Sequence, residues 1–322
     1  MKHLQVAVLR GGPSDEYRVS MQTGSAVLQA LNEDGYETKD IIITRQGEWL
    51  YHGIAREPEK ILKATDVVFI ALHGAYGEDG EIQKIIQRLG IPFTGSRAFA
   101  SARAFNKTAT KETLKRHGVL TPEYFEVSRN CGLYISDIVK TVKDSFGPEY
   151  IIKPVNNGSS FGVEFVPAGK ALEQVIEDTL MKYEKILIEE YIRGKEATCA
   201  TLENFRNDNL YVFPVVEVVT PQDLQFFTTE SKYECNIIDV CPARFSYGER
   251  SKIAEVSALA HEVLDLSQYS RSDFIVNNRG VYFLEVNTLP GLSTQALYPK
   301  SAAAVGLNYN NLISHLVETA TC

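Results

Sequence analysis

Two short runs constrain the fold more than anything else in the chain. Val6-Ala7-Val8-Leu9 and Val67-Val68-Phe69-Ile70-Ala71-Leu72 are unbroken apolar stretches. A strand with one face in water alternates polar and apolar residues, so a strand that is apolar throughout must be covered on both faces. Between them, Val19, Ala26, Val27, Ala30 and Leu31 mark a helical stripe that ends near Gly35. A further strand fits Thr38 to Thr44, and Glu81 to Leu89 reads as a short helix with Gly90 behind it. This rhythm predicts a parallel sheet with helices on its faces. Ligands of such sheets bind beyond the carboxyl ends of the strands, which puts Gly11 to Glu16 and His73 to Glu78 on one rim.

After a helix at Lys107 to His117, closed by Gly118, the pattern changes. Short strands are predicted at Tyr150–Lys153, Phe161–Val166, Ile186–Glu190, Glu196–Leu202 and Tyr211–Val219, with a helix at Lys170–Leu180, giving an α+β unit with antiparallel pairing. Thr220 to Tyr247 is polar and weakly periodic, a long loop of the kind that often serves as a lid. A helix follows at Ile253–Leu266, then a hairpin of Asp273–Val276 and Val281–Val286, and a last helix at Ala302–Leu316. At about 150 residues per domain, 322 residues predict two or three domains and a core that needs no disulfide or metal staple.

Composition excludes several roles. A surplus of 41 Asp+Glu over 33 Lys+Arg gives a net charge of −8, which argues against a protein that grips nucleic-acid backbones. No run approaches the ~18 apolar residues of a membrane span, and the first apolar stretch is too short for a signal peptide. The five cysteines, Cys131, Cys199, Cys235, Cys241 and Cys322, are loosely spaced and read as free thiols of a cytoplasmic protein.

Chemistry concentrates in a few segments. In Lys153-Pro154-Val155-Asn156-Asn157-Gly158-Ser159-Ser160-Phe161-Gly162 a lysine leaves a strand end and a turn of small residues follows. The ammonium and the turn's N–H groups and hydroxyls suit phosphate oxygens, although a plain glycine hairpin would look the same locally. Asp273, Glu285 and Asn287 offer hard oxygen ligands suited to Mg²⁺, and strand alternation puts Glu285 and Asn287 on one face. Arg271, two residues before Asp273, would share its side if the strand began there. Gly291, in Leu289-Pro290-Gly291-Leu292-Ser293-Thr294, can let backbone N–H groups approach an oxyanion, or simply make a turn. Glu16 can hold an ammonium group or serve as an acidic first-turn residue of a helix capped by Ser14. His73 stands at a strand end. Lys107 and Lys153, if close, make a cationic nest for polyphosphate, while Glu189 to Ile192 end a strand that can face a ribose and base.

Taken together these segments resemble the D-alanine–D-alanine ligases, members of the ATP-grasp superfamily. The resemblance runs almost end to end. It rests on Gly11-Gly12-Pro13-Ser14-Asp15-Glu16, His73-Gly74-Ala75-Tyr76-Gly77-Glu78-Asp79-Gly80, Lys153 through Gly162, Arg271-Ser272-Asp273 and Glu285-Val286-Asn287-Thr288-Leu289-Pro290-Gly291, with Lys232-Tyr233 in the lid. It implies an N-terminal parallel-sheet α/β domain over residues 1–96, a central ATP-grasp lobe over 97–188, and a C-terminal lobe over 189–322 with the lid at about 220–247.

The implied activity is ATP-dependent ligation of two D-alanines through an acyl phosphate, supplying cell-wall precursor. Alternatives are a related ligase with another amino-acid or amine acceptor, and a non-catalytic nucleotide-binding protein. By resemblance, Glu16, Ser159 and Tyr233 hold the first substrate's ammonium and His73 lies near its carboxylate. Lys107, Lys153 and Ser160 tend the phosphates, and Glu189, Ile192 and Glu196 surround adenine and ribose. Asp273, Glu285 and Asn287 bind two Mg²⁺ ions (or Mn²⁺), Arg271 and the Gly291 backbone stabilise the tetrahedral intermediate, and Lys232 faces the second substrate or the transferred phosphate. The expected partners are small amino acids, with neither nucleic acid nor membrane, and a homodimer is compatible with the family. Two departures stand out: Ala296 replaces the usual serine near the second substrate's carboxylate, and Tyr17-Arg18 follows Glu16 where a carboxylate commonly precedes Val-Ser.

Overall fold

The computed structural model describes residues 4–158, 161–219 and 238–320. Ser159, Ser160, Lys232, Tyr233, Cys235, Cys322 and most of the expected lid lie outside the described residues. At the lid's far end, Ile238–Val240 is a strand paired with Val216–Val219, and the helix Tyr247–Val263 begins seven residues later, so the loop expected over 220–247 does not extend that far. That helix is started by a capping box in which Ser246 and Glu249 satisfy each other's backbone N–H.

The apolar runs build the sheet they imply. Gln5–Gly11 lies between Glu37–Ile43 and Val67–Ile70, parallel to both, and Trp49–Tyr51 and Ile54–Ala55 extend the edge antiparallel. Val6 to Leu9 and Val67 to Leu72 are all buried, each large side chain contributing about 1.5–3 kcal/mol relative to exposure. One helix covering this sheet is Tyr17–Glu33. Part of its core comes from the far end of the chain, where Tyr298, Ala302, Leu312, Ile313, Leu316 and Val317 join the same apolar cluster.

A second sheet, antiparallel throughout, runs Tyr124–Ser128, Lys185–Glu190, Tyr150–Pro154, Glu164–Val166. Helices Ile135–Ser145 and Leu172–Lys182 cover it, with a core of their own. A third antiparallel sheet is centred on the long strand Lys195–Phe205, flanked by Val216–Val219 on one side and the hairpin Tyr269–Asn277 with Gly280–Asn287 on the other.

Other sequence expectations also need correction. The strand expected at Tyr211–Val219 is two strands, Asp208–Val212 and Val216–Val219, because Pro214 lacks the N–H a continuous ladder needs. The final helix is two, Leu297–Ala303 and Tyr309–Ala320, parted at Gly306, whose φ of +83° no ordinary helix residue adopts. Helices Ala98–Phe105 and Ile135–Ser145 were not anticipated.

Candidate active site

Register delivers the first group of side chains. Ile151 pairs with Glu189, so Lys153, two residues on, is a same-face diagonal neighbour of that glutamate. Its Nζ lies 2.8 Å from Glu189 Oε2. The other oxygen, Oε1, is 3.0 Å from Nζ of Lys111, on the helix Lys107–Lys115. Burial alone would lift the Glu189 carboxyl, but Lys111 and Lys153 outweigh it and hold it below its ordinary value.

The hairpin delivers the second group. Asp273 pairs with Glu285 and Arg271 with Asn287, so all four share one face beside an irregularity at Asp273/Phe274. Arg271 grips Asp273 through two parallel bonds, Nε to Oδ1 at 2.9 Å and Nη2 to Oδ2 at 2.8 Å. Thr198 Oγ1 and Asn287 Nδ2 donate to the same carboxylate at 2.6 and 3.1 Å. Burial opposes the Arg271 charge, but Asp273 above all, with Glu285 and Glu78, raises its pKa further. Glu285 Oε2 stands 3.1 Å from Lys107 Nζ, which also donates to the Asn157 carbonyl. Lys107 thereby ties the hairpin to the small-residue turn.

Three loops close the site. Glu16, itself buried, sits against Gly74 and Gly158: a Cβ on Gly158 would come within 2.5 Å of Glu16 Oε1. Ser14 does not cap the first helix through its side chain; its Oγ donates to the His73 carbonyl at 2.7 Å. His73 Nδ1 is 2.8 Å from the Leu289 carbonyl, an acceptor only, so Nδ1 carries the proton and Nε2 accepts from Thr23 Oγ1 at 2.8 Å. Burial, aided by nearby Arg271, pushes the His73 pKa down to about 4 against the pull of Leu289. Sequence reasoning put a substrate role on His73; both its nitrogens are spent on the protein, clamping the segment that leads to Gly291. Glu78 reinforces the clamp, accepting from Gly74 N at 3.0 Å and Leu289 N at 3.4 Å.

These groups line or adjoin a cleft of about 630 Å³ between the second and third sheets, walled by Lys107, Lys153, Glu189, Ile192, Glu196, Asp273 and Glu285 among others. That is within the range of small-molecule sites. A narrow adjoining hollow is lined by Glu78, Lys107, Gly158, Glu285 and Asn287. Neither packing nor backbone requires a glycine at 291, where a Cβ would meet only Ala296 Cβ at 3.6 Å. Arg18 is exposed, so the charge expected beside Glu16 is largely screened by solvent.

Among the described residues no group of three or more His, Cys, Asp or Glu side chains is placed to hold a metal. Two carboxylates and an amide are what the hairpin offers, a hard-oxygen set that suits Mg²⁺, which keeps several waters. Sequence reasoning missed Glu78 and Lys111. Glu78 lay inside a quoted motif with no assigned task, and Lys111 carried no signal beyond being one turn from Lys107.

Two antiparallel sheets facing each other across a nucleotide-sized cleft, one wall bearing Lys153–Glu189 and the other Asp273–Glu285–Asn287, define the ATP-grasp class of fold. The profile described as D-ala D-ala ligase N-terminus matches residues 5–63 and 53–96, and that of the D-ala D-ala ligase C-terminus matches 113–318. The D-alanine–D-alanine ligase B of Mesorhizobium japonicum is 36% identical, with 100% of this chain and 99% of that protein aligned. The D-alanine–D-alanine ligase of Leptospira interrogans is 31% identical over 98% and 97%. The crystal structure of the VanG D-Ala:D-Ser ligase of Enterococcus faecalis superposes with a TM-score of 0.82 at 27% identity, covering 99% of this chain and 100% of that one. The Bacillus anthracis D-alanine–D-alanine ligase complexed with ATP superposes at 0.79, also at 27% identity, over 98% and 97%. The chain belongs to the D-alanine–D-alanine ligase family. Among the described residues no helix is long and apolar enough to cross a membrane.

Proposed function

We propose that this chain joins two D-alanine molecules at the expense of ATP, releasing ADP and phosphate, and so supplies cell-wall precursor. The observation that carries the reading is convergence: segments around Glu16, Gly74, Lys107, Gly158, Glu189, Arg271 and Glu285 meet at one cleft although up to 269 residues separate them in sequence (285 − 16 = 269). Amide formation from a carboxylate needs activation, and transfer of the γ-phosphoryl group to the first D-alanine gives an acyl phosphate. Glu16 holds that substrate's ammonium. Lys153 and Lys107 neutralise phosphate charge, while Glu189, Ile192 and Glu196 receive the adenine and ribose. Asp273, Glu285 and Asn287 would hold two Mg²⁺ ions, which supply Lewis-acid charge at the transferring phosphoryl group. When the second amine attacks the acyl carbon, Arg271 and the Gly291 backbone meet the developing oxyanion. The clamp of His73 and Glu78 on Leu289 keeps that backbone in place. We assign Ser159, Ser160, Lys232 and Tyr233 their family roles at the ammonium, the phosphates and the acceptor on the sequence motifs alone.

A second reading, ligation of D-alanine to another acceptor, is favoured by Ala296, which offers no hydroxyl beside the loop that follows Gly291. One experiment tests both. D- and L-amino acids are supplied singly and in pairs with ATP and MgCl₂, and ADP and dipeptide are read by mass spectrometry. D-alanyl-D-alanine in step with ADP is the expected result. ADP without any dipeptide, or no turnover with any pair, overturns the ligase reading.

A further inference from the structure

Lys111 is the residue that the site's chemistry leaves unexplained. Its side chain is completely buried and contributes nothing to the wall of the cleft, so it is not placed to touch a nucleotide. Yet its ammonium is 3.0 Å from Glu189, which Lys153 also holds, so two cations share one buried carboxylate. A buried cation is costly unless its charge is used, and burial pushes the Lys111 pKa down to about 8 even with Glu189 beside it. The second cation has a use if the first one leaves. Were Lys153 to turn to phosphate oxygens with no Lys111 present, Glu189 would become an unpaired carboxylate in a dry site.

We propose that Lys111 is a positioning residue for nucleotide binding: it keeps Glu189 ionised and fixed, so that Lys153 is free to leave the carboxylate for the phosphates. The inference rests on the ATP-binding reading of the cleft. Other ionisable groups nearby are committed elsewhere. On the strand Tyr124–Ser128, the Tyr124 ring lies under Lys111 and Lys115, 5.6 and 4.9 Å from the nitrogens, and its hydroxyl bonds Glu112. Glu126 on the same strand is taken by Thr108 and Lys185, and Lys115 also reaches Glu123.

The test measures ATP binding in the presence of MgCl₂ by calorimetry, in buffers of different ionisation enthalpy, for the wild type, K111M, K111R, E189Q and K111M/E189Q. K111M is expected to bind about 10- to 100-fold more weakly at pH 8 and to recover toward pH 6.5. It should take up about one proton per ATP more than the wild type, because Glu189 must protonate when Lys153 departs. K111R should restore most of the affinity and abolish the extra uptake. K111M/E189Q, in which neutral groups replace the pair, should bind no more weakly than E189Q, and this comparison stands even if K111M alone fails to fold. An affinity loss in K111M that is equal at every pH without added proton uptake, an unchanged affinity, or a double variant weaker than E189Q would each overturn the proposal. A wild type that binds no ATP would instead sink the nucleotide reading on which it rests.

Discussion

The two ends of the cleft handle charge in opposite ways. At the nucleotide end, one carboxylate that is 3% exposed faces two lysines, leaving a net positive charge in a dry site. At the hairpin end, each carboxylate has its own cation, Arg271 for Asp273 and Lys107 for Glu285, and Glu285 is 27% exposed. A surplus of buried positive charge suits an anion that arrives and stays. Balanced, half-open pairs suit exchange, since a divalent ion can take the carboxylates and release the cations toward substrate. The difference in pairing fits the ligands proposed for the two ends.

The largest expected effect comes from upsetting the balanced end. Glu285→Gln should lower dipeptide formation by at least about 100-fold, through loss of ligand charge at the transferring phosphoryl group. Because Lys107 loses its only carboxylate partner among the described residues, ATP binding without divalent ions should not weaken. A coupled ADP assay and metal-free titration check both halves, and weaker metal-free binding would show that the two ends are not independent.

An intermediate effect falls on the clamp behind the hairpin. The unfolded imidazole protonates near pH 6.5, that of His73 only near 4, so the unfolded chain holds more protons in between. The stabilisation is whole above pH 6.5 and is lost as pH falls toward 4, up to about 3 kcal/mol. Urea midpoints of the wild type should therefore drop over that window by more than those of His73→Asn. Parallel curves would refute the assignment of a neutral buried His73.

Ala296→Ser is the smallest change. Ala296 precedes the helix Leu297–Ala303 without a side-chain cap, and Pro299 at the third position has no N–H, which leaves Tyr298 N as the target. The gain should be about 0.5–1 kcal/mol, a rise of about 1 °C in melting temperature by calorimetry. A fall in KM for the acceptor amino acid would sharpen the comparison by extending the hairpin end to the second substrate.

Legibility in the sequence followed the kind of signal each residue leaves. Asp273, Glu285 and Asn287 were readable because strand alternation fixes which side chains share a face, and the structure puts them there. Lys153 was readable as a lysine leaving a strand before a glycine-containing turn. Its pairing with Glu189 was not, because it depends on which strands become neighbours, a fact carried by packing rather than by local pattern. Lys111 is invisible in principle: four residues after Lys107 on a polar helix, it looks like a solvated lysine until the sheet closes over it. His73 was noticed for its place at a strand end, but its use of both nitrogens could be seen only once Thr23 and Leu289 were brought beside it. Pro214 and Gly306 mark in the sequence itself where a strand and a helix divide.

The apolar cluster shared by the first sheet and the last two helices bears on how the chain is made. Tyr298, Leu312 and Leu316 complete a core begun by Val6 and Val67, and Ser314 and Asn310 reach Asp34 at the end of the first long helix. As the polypeptide leaves the ribosome, its earliest strands must wait for nearly three hundred further residues before the last part of that greasy surface is covered. The central sheet, whose core is drawn from residues 127–188, can condense during that wait. Folding would then run from the middle outward, and the newborn amino-terminal portion is where a holding chaperone has the most to grip.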